Sequence, residues 1–494
     1  MASANNPPPL VNLSITASHD GGNIQLVSQT EPIISGRSAK CTVKLNVTPD
    51  VYTDLESIAH MQYFSFRAFV SGLHSSTTAS VVGEGEESVD NSIKLFTVTY
   101  IIDNADKVSY PEAWPGTTIC ETKGSLEPAD DQLWKRNPTT KYVDGKLTWQ
   151  HVHTTNGSTF FSYFPPYTYN RHLKLIANCA SSIAAKRDGN YKIESLGQTL
   201  QGREMECISV GDGDRTAWII HRQHPGETMA EFFAEGLLHR LLGIGKDGES
   251  DDMSKKLLDQ YRLYIVPCMC PDGAVMGHLR TNSVGANLNR EWATVNPDYA
   301  APSMERSPEV NAVLKKMDET GCDFFLDVHG DEELPYVFLS GAEKTPLWEE
   351  SERIKYLHGY FVSCYQKANS DIQKSIGYPP PDSTEDALKY MNVATNQVSN
   401  RFKCLGLTLE MPYKDCATNP DPSIGWSPER SKNLGASLVE TLVNMHPYLR
   451  AEGSFWDEFS DEDHYVEPTD NFKEEGFVML KKRLYSDVRP QPLG

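Results

Sequence analysis

The chain's 494 residues are too many for a single hydrophobic core, so two or three domains are expected. Hydrophobic residues make up 39% and the formal charge is −21, a balance that suits a soluble globular protein and opposes nucleic acid, whose binding rests on Lys and Arg neutralising phosphates. No stretch approaches the roughly 18 consecutive apolar positions of a membrane helix, and "MASANNPPPLVNLS" lacks the basic and apolar parts of a secretory signal, so no membrane partner and a cytoplasmic location are expected.

The first 160 residues carry short β-rich runs, "CTVKLNV" (41–47), "YFSFRAFVSG" (63–72), "IKLFTVTYII" (93–102) and "KLTWQHVH" (146–153), separated by Gly, Ser, Asp and Pro clusters. That pattern predicts an all-β antiparallel sandwich domain over 1–160. From there to about 450, apolar runs alternate with longer helical segments. "RTAWIIH" (215–221), "YRLYIVPC" (261–268), "CDFFLDVHG" (322–330) and "CLGLTLEM" (404–411) read as buried strands of an α/β domain over 161–450, a mixed sheet flanked by helices. Residues 451–494 are acidic with embedded aromatics and read as an extension lying partly on the body and partly disordered. The ten cysteines follow no framework and are expected as reduced thiols; Cys268 and Cys270 lack the second pair of a structural zinc site.

Polar residues gather at the ends of these strands, where open α/β sheets bind ligands. In "HPGETMAEFF" Pro225 suits a first helical turn, so a helix is expected to start just after His224, with Glu227 in that turn. Alone, the pair reads more simply as a capping glutamate and a loop histidine. His221, and Glu235 with His239 at helical spacing, are rivals, the latter read as a surface pair. His329 ends "FFLDVHG", where Gly330 is expected to allow a tight turn. Glu410 lies in an apolar strand, where a carboxylate is either paired structurally or poised as a base.

Taken together in order, H-x-x-E at His224 and Glu227, the pair Asn289–Arg290, His329 and then Glu410 in "TLEMP" resemble the zinc metallocarboxypeptidases of the M14 group. "SYFPPYTYNRH" (162–172), "GANLNREW" (285–292) and "DGGNI" (20–24) resemble the cytosolic carboxypeptidase branch, its microbial-type members in particular, which carry a β-sandwich before the peptidase domain. The resemblance implies one zinc ion per chain held by His224, Glu227 and His329, Glu410 as general base, and Arg280 polarising the scissile carbonyl. It implies Asn289 and Arg290 as holders of the substrate's terminal carboxylate, and makes Tyr390 a candidate for the tyrosine that closes over substrate, although a core tyrosine fits as well. The implied activity is zinc-dependent hydrolysis of the C-terminal bond of peptides or protein tails.

Two positions depart from the branch. Neutral Asn396 and Gln397 stand where deglutamylating members have an arginine, so glutamate removal is an open option, and Arg401 is the nearest alternative cation. Asn287 replaces an acidic residue that orients the first zinc histidine, though its amide oxygen can still accept that N–H. The rival readings are a zinc deacylase of N-acyl amino acids and a non-catalytic zinc-containing binding protein. Neither the preferred C-terminal residue nor subunit association is fixed by the sequence, and an oligomer is compatible with it.

Overall fold

The computed structural model describes residues 11–52, 60–74, 92–186, 188–245, 250–293 and 300–470. The chain divides into two compact units, residues 1–48 with 62–166 and residues 49–61 with 167–494, so a short stretch between early strands belongs to the second unit.

The first unit holds eleven strands among the described residues: β1 (Asn12–Thr16), β2 (Gln25–Gln29), β3 (Ile33–Ser35), β4 (Ser38–Asn46), β5 (Ser65–Ser71), β6 (Leu95–Ile102), β7 (Cys120–Lys123), β8 (Lys135–Arg136), β9 (Lys141–Val143), β10 (Lys146–His153) and β11 (Gly157–Ser162). One sheet runs β1-β5-β11-β7-β8 and the other β2-β4-β6-β10-β9, with β3 beside β4. Pairing is antiparallel except between β4 and β6, which run parallel. Alternating buried positions on β4, β6 and β10 face an aromatic core in which Tyr100 lies 5.3 Å from Trp149 and 4.8 Å from Phe161.

The second unit contains strands β12 (Lys192–Gln198), β13 (Glu204–Val210), β14 (Arg215–His221), β15 (Tyr261–Val266), β16 (Phe324–Val328), β17 (Phe338–Ser340) and β18 (Leu405–Glu410). Its helices are α1 (Tyr169–Lys186), α2 (Met229–Leu242), α3 (Asp252–Gln260), α4 (Pro271–Met276), α5 (Pro308–Thr320), α6 (Pro346–Glu350), α7 (Glu352–Ala368), α8 (Thr384–Leu388), α9 (Ala394–Phe402) and α10 (Pro428–Met445). The strands form one mixed sheet in the order β12-β13-β15-β14-β16-β18-β17. Its middle four are parallel, and every residue of β16 and β18 is buried, as apolar strands covered on both faces must be.

Strand β14 lies between β15, which follows it, and β16, which comes later, so the direction of winding reverses there. That is the topological switch point where such sheets open a crevice beyond their carboxyl ends. Helix α2, which follows β14, crosses α10 at backbone contact. A Cβ on Gly236 would meet Lys432 O at 2.0 Å, and one on Gly435 would meet Phe233 O at 2.1 Å, so neither helix tolerates a side chain there.

The acidic extension, as far as residue 470, lies on α7: Trp456 stacks on Tyr356 at 4.9 Å, Phe459 on Tyr360 at 4.3 Å, and Ser363 Oγ donates to Glu462 O. The remainder of the extension, 471–494, lies outside the described residues, as do residues 1–10. All ten cysteines are buried thiols. Among the described residues no helix is long and apolar enough to cross a membrane.

Candidate metal centre and active site

Three strand ends bring the site together. His224 and Glu227 follow β14, His329 follows β16, and Glu410 closes β18. Register sets His221 beside Val328 and Val328 beside Leu409, and His329 N–H donates to Leu409 O at 2.8 Å. The helix after β14 starts at Met229, not directly after His224 as the proline suggests. Pro225 and Gly226 occupy a turn before it, held because Gly226 N–H donates to Leu279 O at 2.9 Å. Glu227 is thereby left beside its histidine. Gly330 serves by its size: a Cβ there would meet Met229 Sδ at 2.4 Å, and its N–H donates to Glu227 Oε2 at 3.1 Å.

The ligating atoms of His224, Glu227 and His329 all lie within 4.8 Å of one another. Glu227 Oε1 is 2.7 Å from His224 Nδ1, Glu227 Oε2 is 2.8 Å from His329 Nδ1, and the two Nδ1 atoms are 3.2 Å apart. The far side of each ring decides what that arrangement means. His224 Nε2 lies 3.1 Å from Asn287 Oδ1, and His329 Nε2 lies 2.8 Å from Asp327 Oδ2, both oxygens being acceptors. With Nε2–H donated outwards and both rings neutral, the two Nδ1 lone pairs would point at each other and at a carboxylate. A cation between them resolves that repulsion, so the donor set fits a metal held by three protein ligands.

Charge at the site follows from burial and these contacts. Burial pushes Glu227 up, but the charges and hydrogen bonds of His224 and His329 outweigh it and hold the carboxyl well below its ordinary range. Burial, with the Arg280 charge adding to it, lowers His224 to about 3. Burial opposes protonation of His329, but without a metal Asp327 and Glu227 raise it well above the usual histidine value, so that a proton takes the place between the rings that a metal cation would fill. Burial pushes Glu410 up as well, against the charge of His329. Its Oε1 is 3.2 Å from the Tyr378 hydroxyl, while its buried Oε2 has no hydrogen-bond partner among the described residues.

Of the other expected residues, Arg280 acts by its charge on His224 and Asn289 touches His329. Arg280 sits on a loop whose backbone is gripped by Asp50: Leu279 N–H donates to Asp50 Oδ1 at 2.6 Å, and Arg280 and Thr281 N–H donate to Oδ2 at 2.8 and 2.9 Å. Asn289 spans from His329 to α9, with Nδ2 3.4 Å from His329 Nε2 and Oδ1 accepting from Ala394 N–H at 2.9 Å. Arg290 Nη1 donates to Asn289 O, and its charge acts on Tyr390, which precedes α9. Asn396 and Gln397 lie on α9, and Asn396 Nδ2 donates to Tyr390 O at 3.1 Å. Arg401 is paired with Asp318 at 2.7 Å at the surface, so it does not replace the missing arginine.

The rival residues go elsewhere. His221 turns Nδ1 to Val266 O. Glu235 is no surface partner of His239: it is buried, and binds Arg171 at 2.9 Å, Tyr167 and Lys432. Asp327 and Asp50 escaped the sequence reading. Asp327 had a signal, since residues two apart on a strand share a face and it stands two before His329. Asp50 had none, being over two hundred residues from the loop that it holds.

Known proteins agree with this architecture. Residues 176–418 match the family described as zinc carboxypeptidase, and residues 88–164 match the cytosolic carboxypeptidase N-terminal domain. An uncharacterised protein of Zymomonas mobilis is 37% identical over 441 residues, 89% of this chain and 98% of its own. A metallo-carboxypeptidase from Burkholderia cenocepacia is 34% identical, with a TM-score of 0.71 over 88% of this chain and 99% of that one. A metallo-carboxypeptidase from Pseudomonas aeruginosa, solved with (2-guanidinoethylmercapto)succinic acid, is 32% identical, with a TM-score of 0.71 over 88% and 100% of the two chains.

Proposed function

The chain belongs to the zinc carboxypeptidase family, and from that premise we propose that His224, Glu227 and His329 hold its zinc ion, with Glu410 as the general base. The protein is a zinc metallocarboxypeptidase acting on peptides. When bound, zinc supplies a Lewis acid that polarises a carbonyl and lowers the pKa of a water to about 7.

This chain's own residues do the rest. Glu410 Oε2, which lacks a partner among the described residues, takes a proton from the attacking water as the water oxygen bonds to the scissile carbonyl carbon. The same carboxyl returns that proton to the departing amine as the C–N bond breaks. Arg280 donates to the oxyanion that forms on the carbonyl oxygen, a contribution typically of about 3 kcal/mol. Arg290 offers a planar fork and Asn289 an amide N–H to the substrate's terminal carboxylate, which restricts cleavage to a free C-terminus. The succinic acid derivative bound by the Pseudomonas aeruginosa relative carries carboxylates of this kind. Tyr390, beside Arg290, closes over the bound residue.

The substrates proposed are peptide and protein tails, including tails that end in glutamate, to which Asn396 and Gln397 can offer amide donors. The proposed compartment is the cytosol, in keeping with ten unpaired thiols; fractionation with a tagged chain tests it. The observation that carries the reading is the pair of outward-anchored histidines facing one carboxylate, with an unpartnered glutamate oxygen at the next strand end. Glu410→Gln should retain zinc and lower kcat on a C-terminal peptide library by about 10²- to 10⁴-fold. Unchanged release by that variant would refute the role of Glu410, and the library would show which terminal residue is preferred.

A further inference from the structure

The Glu410 carboxylate has two oxygens in unlike surroundings, and the contact on Oε1 comes from a residue with no place in the proposed reaction. Tyr378 lies in the loop between α7 and α8. Its hydroxyl is placed to donate to Asp331 Oδ2 at 2.7 Å and to Glu410 Oε1 at 3.2 Å. Asp331 is fixed before the tyrosine reaches it. Its Oδ1 accepts the N–H groups of Glu333, at 2.8 Å, and Leu334, its own N–H donates to Met411 O at 2.9 Å, and its carbonyl accepts from Tyr413 N–H at 3.3 Å. Asp331 is thus strapped to the chain just beyond Glu410.

The tyrosine ring is fixed as well. It meets the Phe338 ring edge-on at 4.8 Å, and Phe338 on β17 is the register partner of Glu410 on β18. The preceding Gly377 is packed so closely that an added Cβ would lie 2.9 Å from the Phe338 ring, and its N–H donates to Thr469 O at 3.1 Å. A buried phenol whose one proton is shared between two carboxylate oxygens ties the second to the anchored first and restrains its rotation.

We infer that Tyr378 is a positioning residue for Glu410: anchored by Asp331 and Phe338, its hydroxyl holds Oε1 and so aims the unpartnered Oε2 at the reacting water. The inference rests on Glu410 being the base. Freed from the hydroxyl, the carboxylate plane turns about its terminal torsion, a broad and soft one, and misplacement on the ångström scale can cost about 10²-fold in rate.

The test is steady-state kinetics on a peptide that releases one C-terminal residue, with zinc content and melting temperature, for the full-length protein, Tyr378→Phe and Glu410→Gln. Tyr378→Phe keeps the ring and loses only the hydroxyl. It should lower kcat roughly 10- to 100-fold, leave KM near that of the unmodified protein, keep one zinc per chain and melt at the same temperature. Full kcat in Tyr378→Phe with an inactive Glu410→Gln would overturn the tyrosine's role and spare the base. A rise in KM at constant kcat would make it a substrate contact, and loss of zinc or a large fall in melting temperature would make it structural; each overturns the inference. An active Glu410→Gln would show that the base itself was wrongly assigned.

Discussion

Two buried ionic clusters meet the same stretch of chain around α2, and they are built on opposite terms. In the first, Glu231 takes His172 Nδ1 at 2.7 Å and Arg222 Nη1 at 2.5 Å, His172 Nε2 reaches Glu206 at 3.2 Å, and Glu235 takes Arg171 and the Tyr167 hydroxyl, each at 2.9 Å. These charges are matched by opposite ones at hydrogen-bond distance, which is what a buried charge requires. In the second, a few residues earlier, His224 and His329 turn their Nδ1 atoms towards each other and Glu410 keeps an oxygen without a partner among the described residues. The matched cluster explains "YTYNRH" as a structural device: Tyr167, Arg171 and His172 neutralise the acids of α2, and Arg222, held at φ +56°, ties Tyr167 O, Pro225 O and Glu231 together under the ligand turn. The unmatched cluster is left incomplete, and the zinc ion and substrate proposed for it would complete it.

Substitutions that break the two clusters should therefore read out differently. Glu231→Gln strands Arg222 and His172 without their shared anion, and a broken buried pair costs about 3–5 kcal/mol. A denaturant titration should show that loss in unfolding free energy. If the loss is below about 1 kcal/mol, the lattice is not what holds α2.

A pH titration sharpens the same contrast. Burial lowers His172, but the hydrogen bonds and charges of Glu206 and Glu231 outweigh it and carry the residue up to about 9. A histidine whose folded value lies above its unfolded value of 6.5 gives stability that is complete below pH 6.5 and lost as pH rises through 9. The two values differ by an amount worth about 3 kcal/mol. Melting temperature should fall across that window in the unmodified protein, and the His172→Gln variant should show a flatter profile; equal slopes would rule out this contribution.

The smallest effect is expected at the unmatched centre's outer rim. Asp327→Asn keeps an acceptor on His329 Nε2 but removes its charge, and losing such a partner weakens metal binding by roughly 10- to 100-fold. Competition with a zinc chelator measures it, and an unaltered affinity would mean that Asp327 does not orient the ligand.

What could be read in the sequence follows from the range of the forces involved. The strands ending in His221, Val328 and Glu410 were visible because central parallel strands are apolar throughout and the polar residues that interrupt or follow them stand out. Asp327 was visible in principle through strand alternation. The helix start was misplaced because the bond that delays it, Gly226 N–H to Leu279 O, comes from another loop. Asp50 and Tyr378 were hidden for the same reason: each acts on a residue far along the chain, and nothing in its local pattern distinguishes it from a turn aspartate or a loop tyrosine.

The central claim is that the unmatched cluster, and not the matched one, holds the metal. Zinc content of the purified full-length chain tests it directly. The prediction is one zinc per chain in the unmodified protein and in His172→Gln, and close to none when His224 and His329 are both replaced by alanine. Full zinc content in that double variant, or loss of zinc from His172→Gln with the fold intact, would contradict it.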